Sequence, residues 1–257
     1  MVEIERERKY LVRNADIFKY IIQQFSIPAN QIIDEHHAIK AYKVQNQGYL
    51  IRPYRYFDTF NRDLERQLVF AFVGPSDLKR KQLQPVGILE KKRTSASVRE
   101  RKETKDIVVT VKYPEKHPDE RHQHELSVTE EDFYHFDPNK YFNQLPAFQS
   151  LQAITQNCPL QEAVRLNVER KYFNLVRDGE WKMQIAADKV IGRSSIGLEK
   201  IFYELEIEVE EKGTIADKDS VASYFEEKYG DTLIKSSLPK WIKALQLLRG
   251  KEILADK

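Results

Sequence analysis

The segment FYELEIEVE, residues 202–210, puts Glu204, Glu206, Glu208 and Glu210 on one side of an extended chain. Tyr203, Leu205, Ile207 and Val209 fall on the other, because side chains alternate along a strand. Residues 203–211 hold five acids and no base. Like charges in a row repel, so this is either an amphipathic strand with a solvated charged face or one that meets a cation. The cation could be Arg or Lys from facing strands, or a hard divalent metal such as Mg²⁺, which prefers carboxylate oxygens. The opposite bias lies in residues 79–112, with eleven Lys or Arg against four acids. There SVRERKE places Arg99 and Arg101 on one face, and IVVTVKY places Thr110 and Lys112 opposite Val109 and Val111. Edge protection by basic residues accounts for any one such strand. Together they form a surface suited to a polyanion, since the planar fork of Arg matches phosphate oxygens.

Near the N-terminus Glu3, Glu5, Glu7 and Lys9 share one strand face, and RHQHE at 121–125 aligns Arg121, Gln123 and Glu125. Several strands thus carry polar groups of both signs on one side and apolar groups on the other. Closed into a barrel, they would turn the charges inward and pack their apolar faces against helices. A lumen of mixed sign would hold anionic phosphates together with their metal ions. His36-His37 and the His122/His124 pair read as structural, the latter because Leu126 shares its face. Trp181 and Trp241 read as packing residues.

These faces need a scaffold. Strands are expected at 3–12, at 37–52 with a bend at Gln47-Gly48, and at 68–74, 87–93, 97–103, 107–113 and 121–128. Further strands are expected at 164–176, 180–190 and 201–211. Asn14 is the expected N-cap of a helix bearing Ile17, Phe18, Ile21, Ile22 and Phe25 on one face and ended by Pro28. Thr129 and Asp132 resemble a capping box for a helical region over about 130–157, which Pro138, Pro146 and Pro159 cut into pieces. Asp217 to Tyr229 reads as a helix with Gly230 as C-cap. The last helix starts near Ser237, with Leu238, Trp241, Ile242, Leu245 and Leu248 on its apolar face and Gly250 at its end.

The chain has 257 residues, 42 Lys plus Arg and 40 Asp plus Glu, for a net charge of +2. That balance argues against a disordered acidic tail or a histone-like polycation, and it does not call for nucleic acid. With 41% hydrophobic residues the chain can build a core. None of its nine glycines forms GxGxxG or GxxxxGK[ST], so side chains rather than a backbone loop would have to grip phosphate. Cys158 is the only cysteine, which fits a reducing cytoplasm and excludes an internal disulfide; it reads as a small buried hydrophobe. The N-terminus has no secretory h-region, and no apolar run approaches a membrane span. One compact α+β domain over 1–257 is expected, with helices flanking the strands; no oligomeric state follows from the residues.

The order of these motifs resembles the CYTH superfamily, the triphosphate tunnel metalloenzymes. The hallmark E-x-E-x-K appears as Glu5, Glu7 and Lys9, followed by QGYL at 47–50. The R-x-R strand matches Arg99 and Arg101, the T-x-K strand Thr110 and Lys112, and the R-x-E-x-E strand Arg121, Gln123 and Glu125. Asp188 matches the family aspartate. Glu206 and Glu208 match the closing E-x-E, with Glu204 an alternative register of the same facing. Pro239-Lys240-Trp241 is similar to the final S-K-Y-like motif. Four departures stand out. Gln123 replaces a Glu, and Ala186 stands where a second acid often precedes the Asp. The basic K-x-R falls on Glu169 and Lys171, unless a bulge brings in Arg170. About forty residues, 51–94, are inserted before the R-x-R strand. That insert contains GILEKKRTS, similar to a strand of vacuolar transporter chaperone polyphosphate polymerases.

The resemblance implies a closed antiparallel eight-stranded β-barrel with a charged interior, flanked by helices, with a helical segment at about 217–250. It implies that Arg99, Arg101, Lys112, Arg121 and Lys240 bind a triphosphate or polyphosphate, with Arg165 a further candidate. Glu5, Glu7, Glu206 and Glu208 would hold Mg²⁺ or Mn²⁺, Lys9 would position the phosphate or a neighbouring Glu, and Glu125 is the candidate general base. The implied activity is metal-dependent, in-line hydrolysis of inorganic tripolyphosphate or a nucleoside triphosphate. A polymerase-type phosphotransferase follows from GILEKKRTS and the insert. A non-catalytic polyphosphate-binding module follows from Gln123, Ala186 and Glu169. Adenylate cyclase activity follows only from the family's history.

Overall fold

The computed structural model describes residues 7–67, 69–75, 107–114, 121–210 and 212–253. The chain runs β1 (Glu7–Val12), α1 (Ala15–Phe25), β2 (Lys43–Asp58), α2 (Asp63–Arg66), β3 (Phe70–Pro75), β4 (Ile107–Pro114) and β5 (Arg121–Val128). Three short helices follow, α3 (Glu130–Tyr134), α4 (Pro138–Tyr141) and α5 (Phe148–Thr155). Then come β6 (Gln161–Arg177), β7 (Glu180–Arg193), β8 (Glu199–Val209), α6 (Ile215–Tyr229), β9 (Leu233–Lys235) and α7 (Lys240–Leu248).

Local signals behave as their chemistry demands. The Asn14 side chain accepts a hydrogen bond from the Asp16 N–H at 2.7 Å and opens α1. Thr129 with Asp132, and Thr214 with Asp217, form full capping boxes for α3 and α6. Gly230 ends α6 with φ at 45°, a conformation suited to glycine. Where the chain departs from expectation, neighbours decide. Residues 37–41 are turns rather than strand, and β2 begins only at Lys43. Gly48 lies inside the strand instead of at a bend, paired with Tyr172, whose hydroxyl would be 2.5 Å from a Cβ there, so the position suits glycine. Much of the expected insert belongs to the sheet: β2 runs on to Asp58, and β3 occupies 70–75. Cys158 is half-buried in the turn after α5.

The strands pair antiparallel in one sheet, β5-β4-β3-β2-β6-β7-β8-β1-β9. This corrects the expected closed barrel of eight strands. The described sheet has nine strands, with β5 and β9 as its edges. The extra one is β9, three residues that extend the β1 edge after α6. The expected strands at 87–93 and 97–103 lie outside the described residues.

Helices cover both faces. On one face α1 and α6 bury Phe18, Ile21, Phe25, Val221 and Phe225 against Phe173, Ile185, Leu205 and Ile207. Helices α2 to α5 close a second core over Phe57, Val73, Val109 and Val111. The opposite face receives α7: Trp241, Ile242, Ala244 and Leu245 pack with residues from β2, β3, β6, β7 and β8, and Leu11 of β1 joins them. β1 and β3 are five positions apart in the sheet, about 24 Å if it were flat. A helix is only about 10–12 Å across. The apolar layer under α7 thus reaches well beyond the helix itself, and this face of the sheet is the inner one.

Candidate active site

Strand parity sorts the charged residues. Leu205 and Ile207 pack under α1 and α6, which turns Glu204, Glu206 and Glu208 to the inner face. Register does the rest. Glu206 lies opposite Lys9 on β1 and Ala186 on β7; Glu204 lies opposite Asp188; Glu7 lies opposite Glu208. On the far side of β7, Asp188 is opposite Arg170. Helix α7 then lowers Lys240 and Lys243 onto the same patch.

The resulting network centres on Glu206, 6% exposed. It accepts hydrogen bonds from Arg170 and Lys240, and Lys9 Nζ stands 3.7 Å away. Arg170 also grips Asp188 in bidentate fashion, at 2.7 and 2.5 Å. Lys240 Nζ lies 3.1 Å from Asp188 and 2.7 Å from Glu204 Oε1. Lys243, fully buried, donates to the other oxygen of Glu204. Lys9 reaches back to Glu7 at 2.5 Å. Burial would discharge these groups, but their partners outweigh it. For Glu206, burial raises the pKa, yet Lys240, Arg170 and Lys9 hold it well below the usual carboxylate range. For Arg170, burial lowers it, yet Asp188 and Glu206 keep it well above the ordinary value. Glu204 and Glu206 do the same for Lys240. At Lys243 burial wins over Glu204, and its pKa is pushed down.

Asp188, Glu204 and Glu206 offer carboxylate oxygens that all lie within 4.8 Å of one another. Glu204 Oε1 is buried and accepts no aligned hydrogen bond, although the Lys240 ammonium is close to it. An orphaned carboxylate oxygen in an all-oxygen donor set fits a hard divalent cation. The Lys240 ammonium is the cation that now sits among the three carboxylates.

The expected site residues divide as follows. Glu7, Lys9, Glu206, Glu208 and Lys240 share the inner face around this network. Lys112 and Thr110 are on the same face across β3 and β2, and Thr110 Oγ1 donates to Glu125 at 3.5 Å. Glu5, Arg99, Arg101 and GILEKKRTS lie outside the described residues, as do the side chains of Arg121 and Gln123. Arg165 stands on the outer face, paired with Glu162 at 2.5 Å. Glu169 also faces outward, against Lys189. Arg170 reaches the inner face without a bulge, because β6 pairs with β7 in unbroken register from Arg165 to Leu175. Sequence reasoning missed Lys243 and Arg52. Lys243 carried a signal, a lysine between Ile242 and Ala244 on an apolar helix; Arg52, buried on the inner face, carried none. His36 is 3.0 Å from Glu227, and its Nδ1 accepts from the Ala38 N–H. Trp241 stacks on Tyr56 with ring centroids 5.9 Å apart, a packing residue as expected.

No protein-family model matches the chain, and no curated protein matches it by sequence. Solved structures do. An adenylate cyclase candidate from Bacillus halodurans superposes with a TM-score of 0.50 at 15% identity, over 99% of this chain and 95% of that one. The adenylyl cyclase candidate HpAC1 from Hippeastrum, whose dominant activity is that of a triphosphatase, superposes with a TM-score of 0.56 at 12% identity, over 97% of each chain. Identities this low carry fold alone. Together with the antiparallel sheet and its flanking helices, they show that this chain shares its overall fold with these two proteins.

Proposed function

We propose that this protein is a divalent-metal-dependent phosphohydrolase that cleaves a terminal phosphoanhydride of inorganic tripolyphosphate or a nucleoside triphosphate. The observation that carries this reading is the inner-face network, where the buried Asp188, Glu204 and Glu206 meet Lys9, Arg170 and Lys240. The triphosphatase activity of the similarly folded HpAC1 supports it.

In this reading Asp188, Glu204 and Glu206 hold Mg²⁺ or Mn²⁺, with Glu7 and Glu208 beside them and Glu5 completing the E-x-E-x-K motif. The metal, when bound, neutralises phosphoryl charge and lowers the pKa of water. Lys240, held charged, moves from the carboxylates to a phosphate oxygen. Arg170, pinned by Asp188, keeps its fork oriented, and Lys9 positions Glu206 and the phosphate chain. Lys112, with Arg99, Arg101 and Arg121, binds the remaining phosphates. Such fixed cations stabilise charge that grows in the transition state. Glu125, beside Thr110, takes the proton of the attacking water.

The test is phosphate release from tripolyphosphate and from ATP, with and without Mg²⁺ or Mn²⁺, for wild type and Glu204→Gln/Glu206→Gln. Replacing partners that merely orient metal ligands costs about 10–100-fold, so losing two ligands should cost on the order of 10²-fold or more. Metal-dependent release that survives the double change would sink the assignment. Binding without turnover would point to a non-catalytic module, and lengthening of the chains to a polymerase.

A further inference from the structure

The outer face carries a row of three arginines. Arg55 of β2 stands opposite Arg165 of β6, and Arg165 stands opposite Arg193 of β7. Like charges directly opposed across strands destabilise a sheet, so such a row calls for anions. Two are built in. A register shift in β6 between Glu162 and Val164 brings Glu162 to this face. One of its oxygens takes Arg55 Nε at 2.6 Å and the other Arg165 Nε at 2.5 Å. Glu199 takes Arg193 through Nε and Nη2, at 3.2 and 2.6 Å. Arg55 also donates from Nη1 to the carbonyls of Phe133 and Tyr134, which closes the end of α3.

Three guanidinium groups thus face two carboxylates. Both Nη groups of Arg165 and Nη1 of Arg193 make no hydrogen bond among the described residues, and these two side chains are 60% and 61% exposed. They line a cleft of about 280 Å³ whose walls also include Phe133, Tyr134 and Ile191. The excess charge, the three unused donor groups and the aromatic wall coincide in one place.

We propose that this cleft is a second ligand site, for a phosphate monoester carrying a flat ring. A phosphoryl group has three terminal oxygens for the free Arg165 and Arg193 donors, where a carboxylate has two. The ring lies against Tyr134, which is 67% exposed. At about 280 Å³ the cleft lies just under the roughly 300–1,000 Å³ usual for small-molecule sites, which limits it to a small ligand. The site is on the opposite side of the sheet from the Glu206 network and does not depend on the phosphohydrolase reading.

Phenyl phosphate is the probe, titrated into the full chain by calorimetry beside phenol, benzoate and inorganic phosphate. Phenyl phosphate should bind at least tenfold more tightly than the other three. It should lose at least tenfold in Arg165→Gln/Arg193→Gln, whose melting temperature should stay close to wild type, because exposed ion pairs contribute only about 0–1 kcal/mol. In wild type the Phe133 and Tyr134 amide resonances should shift on titration, a readout that needs no variant. The proposal is overturned if phenyl phosphate shows no saturable binding or if benzoate binds as tightly. It is also overturned if the double variant binds like wild type, which would place the ligand elsewhere.

Discussion

Glu206 and Lys243 show how differently two buried charges can be held. Glu206 is met by Arg170, Lys240 and Lys9 together, so no single partner is indispensable to its ionisation. Lys243 is fully buried, and among the described residues its ion pair is with Glu204 alone. Removing one member of a buried pair leaves the other charged in a poor solvent, at a cost of roughly 3–5 kcal/mol. Lys240 still touches Glu204, so Lys243→Met should lose about 3 kcal/mol, near the low end. Urea unfolding at neutral pH measures this. A variant as stable as wild type would show that Lys243 is there for function and not for the fold. The same residue marks a limit of legibility. The alternation of Glu204, Glu206 and Glu208 is readable one strand at a time, whereas the Lys243–Glu204 pair joins residues 39 positions apart that no local pattern connects.

At the scale of elements, α7 is the piece that completes the site, and its docking depends on one close approach. A Cβ on Gly192 of β7 would lie 2.8 Å from the Ala244 Cβ. Neither atom is the end of a flexible side chain, so the helix itself would have to move. Gly192→Ala should therefore cost about 1–3 kcal/mol, the usual penalty of overpacking. Because Lys240 and Lys243 ride on α7, the proposed hydrolysis of tripolyphosphate should fall in the same variant. Paired thermal melts and phosphate-release assays check this; a stable, fully active Gly192→Ala protein would mean that the helix position is not critical. The N-caps of α1 and α3 and the glycine that ends α6 were legible because a cap is set by neighbours in sequence, whereas the Thr214–Asp217 box that starts α6 was missed. The inward turn of Arg170 was not, because the choice between Arg170 and the Glu169/Lys171 face is made by the β6–β7 register.

At the scale of the whole molecule, the titrating groups bound a window of stability. Glu206, Asp34 and Asp217 all have pKa values held down in the fold. For Glu206 and Asp217 cations and hydrogen bonds overcome the upward push of burial, and for Asp34 the Lys228 hydrogen bond leads. Their stabilisation is present above the ordinary carboxylate range and is lost as pH falls through the folded values. Asp58, raised by burial, runs the other way. On the alkaline side Tyr10, Tyr42, Tyr224 and Tyr229 are all raised, chiefly by burial. They stabilise below the ordinary tyrosine value of about 10 and lose that contribution as pH climbs beyond it. Lys243, pushed down by burial, opposes them, but the four tyrosines outnumber it, so the urea midpoint should fall toward both extremes of pH. Midpoints at pH 3.5, 7 and 10.5 test the shape; a rise at either extreme would contradict it.

The sequence by itself determined what each short segment presents to its two sides: acids at 204–210, Glu7 and Lys9 together, Thr110 with Lys112, and the caps that start and stop the helices. These depend on chain periodicity and bonds within a few residues. Only the tertiary structure decided which charges meet. Asp188, Glu204 and Glu206 converge because β7 and β8 pair in one register, and a slip of one residue would turn the strand's whole set to the opposite face. It also decided that Arg165 leaves the candidate active site and joins Arg55 and Arg193 outside, since the face a residue takes is set by its partners across the sheet.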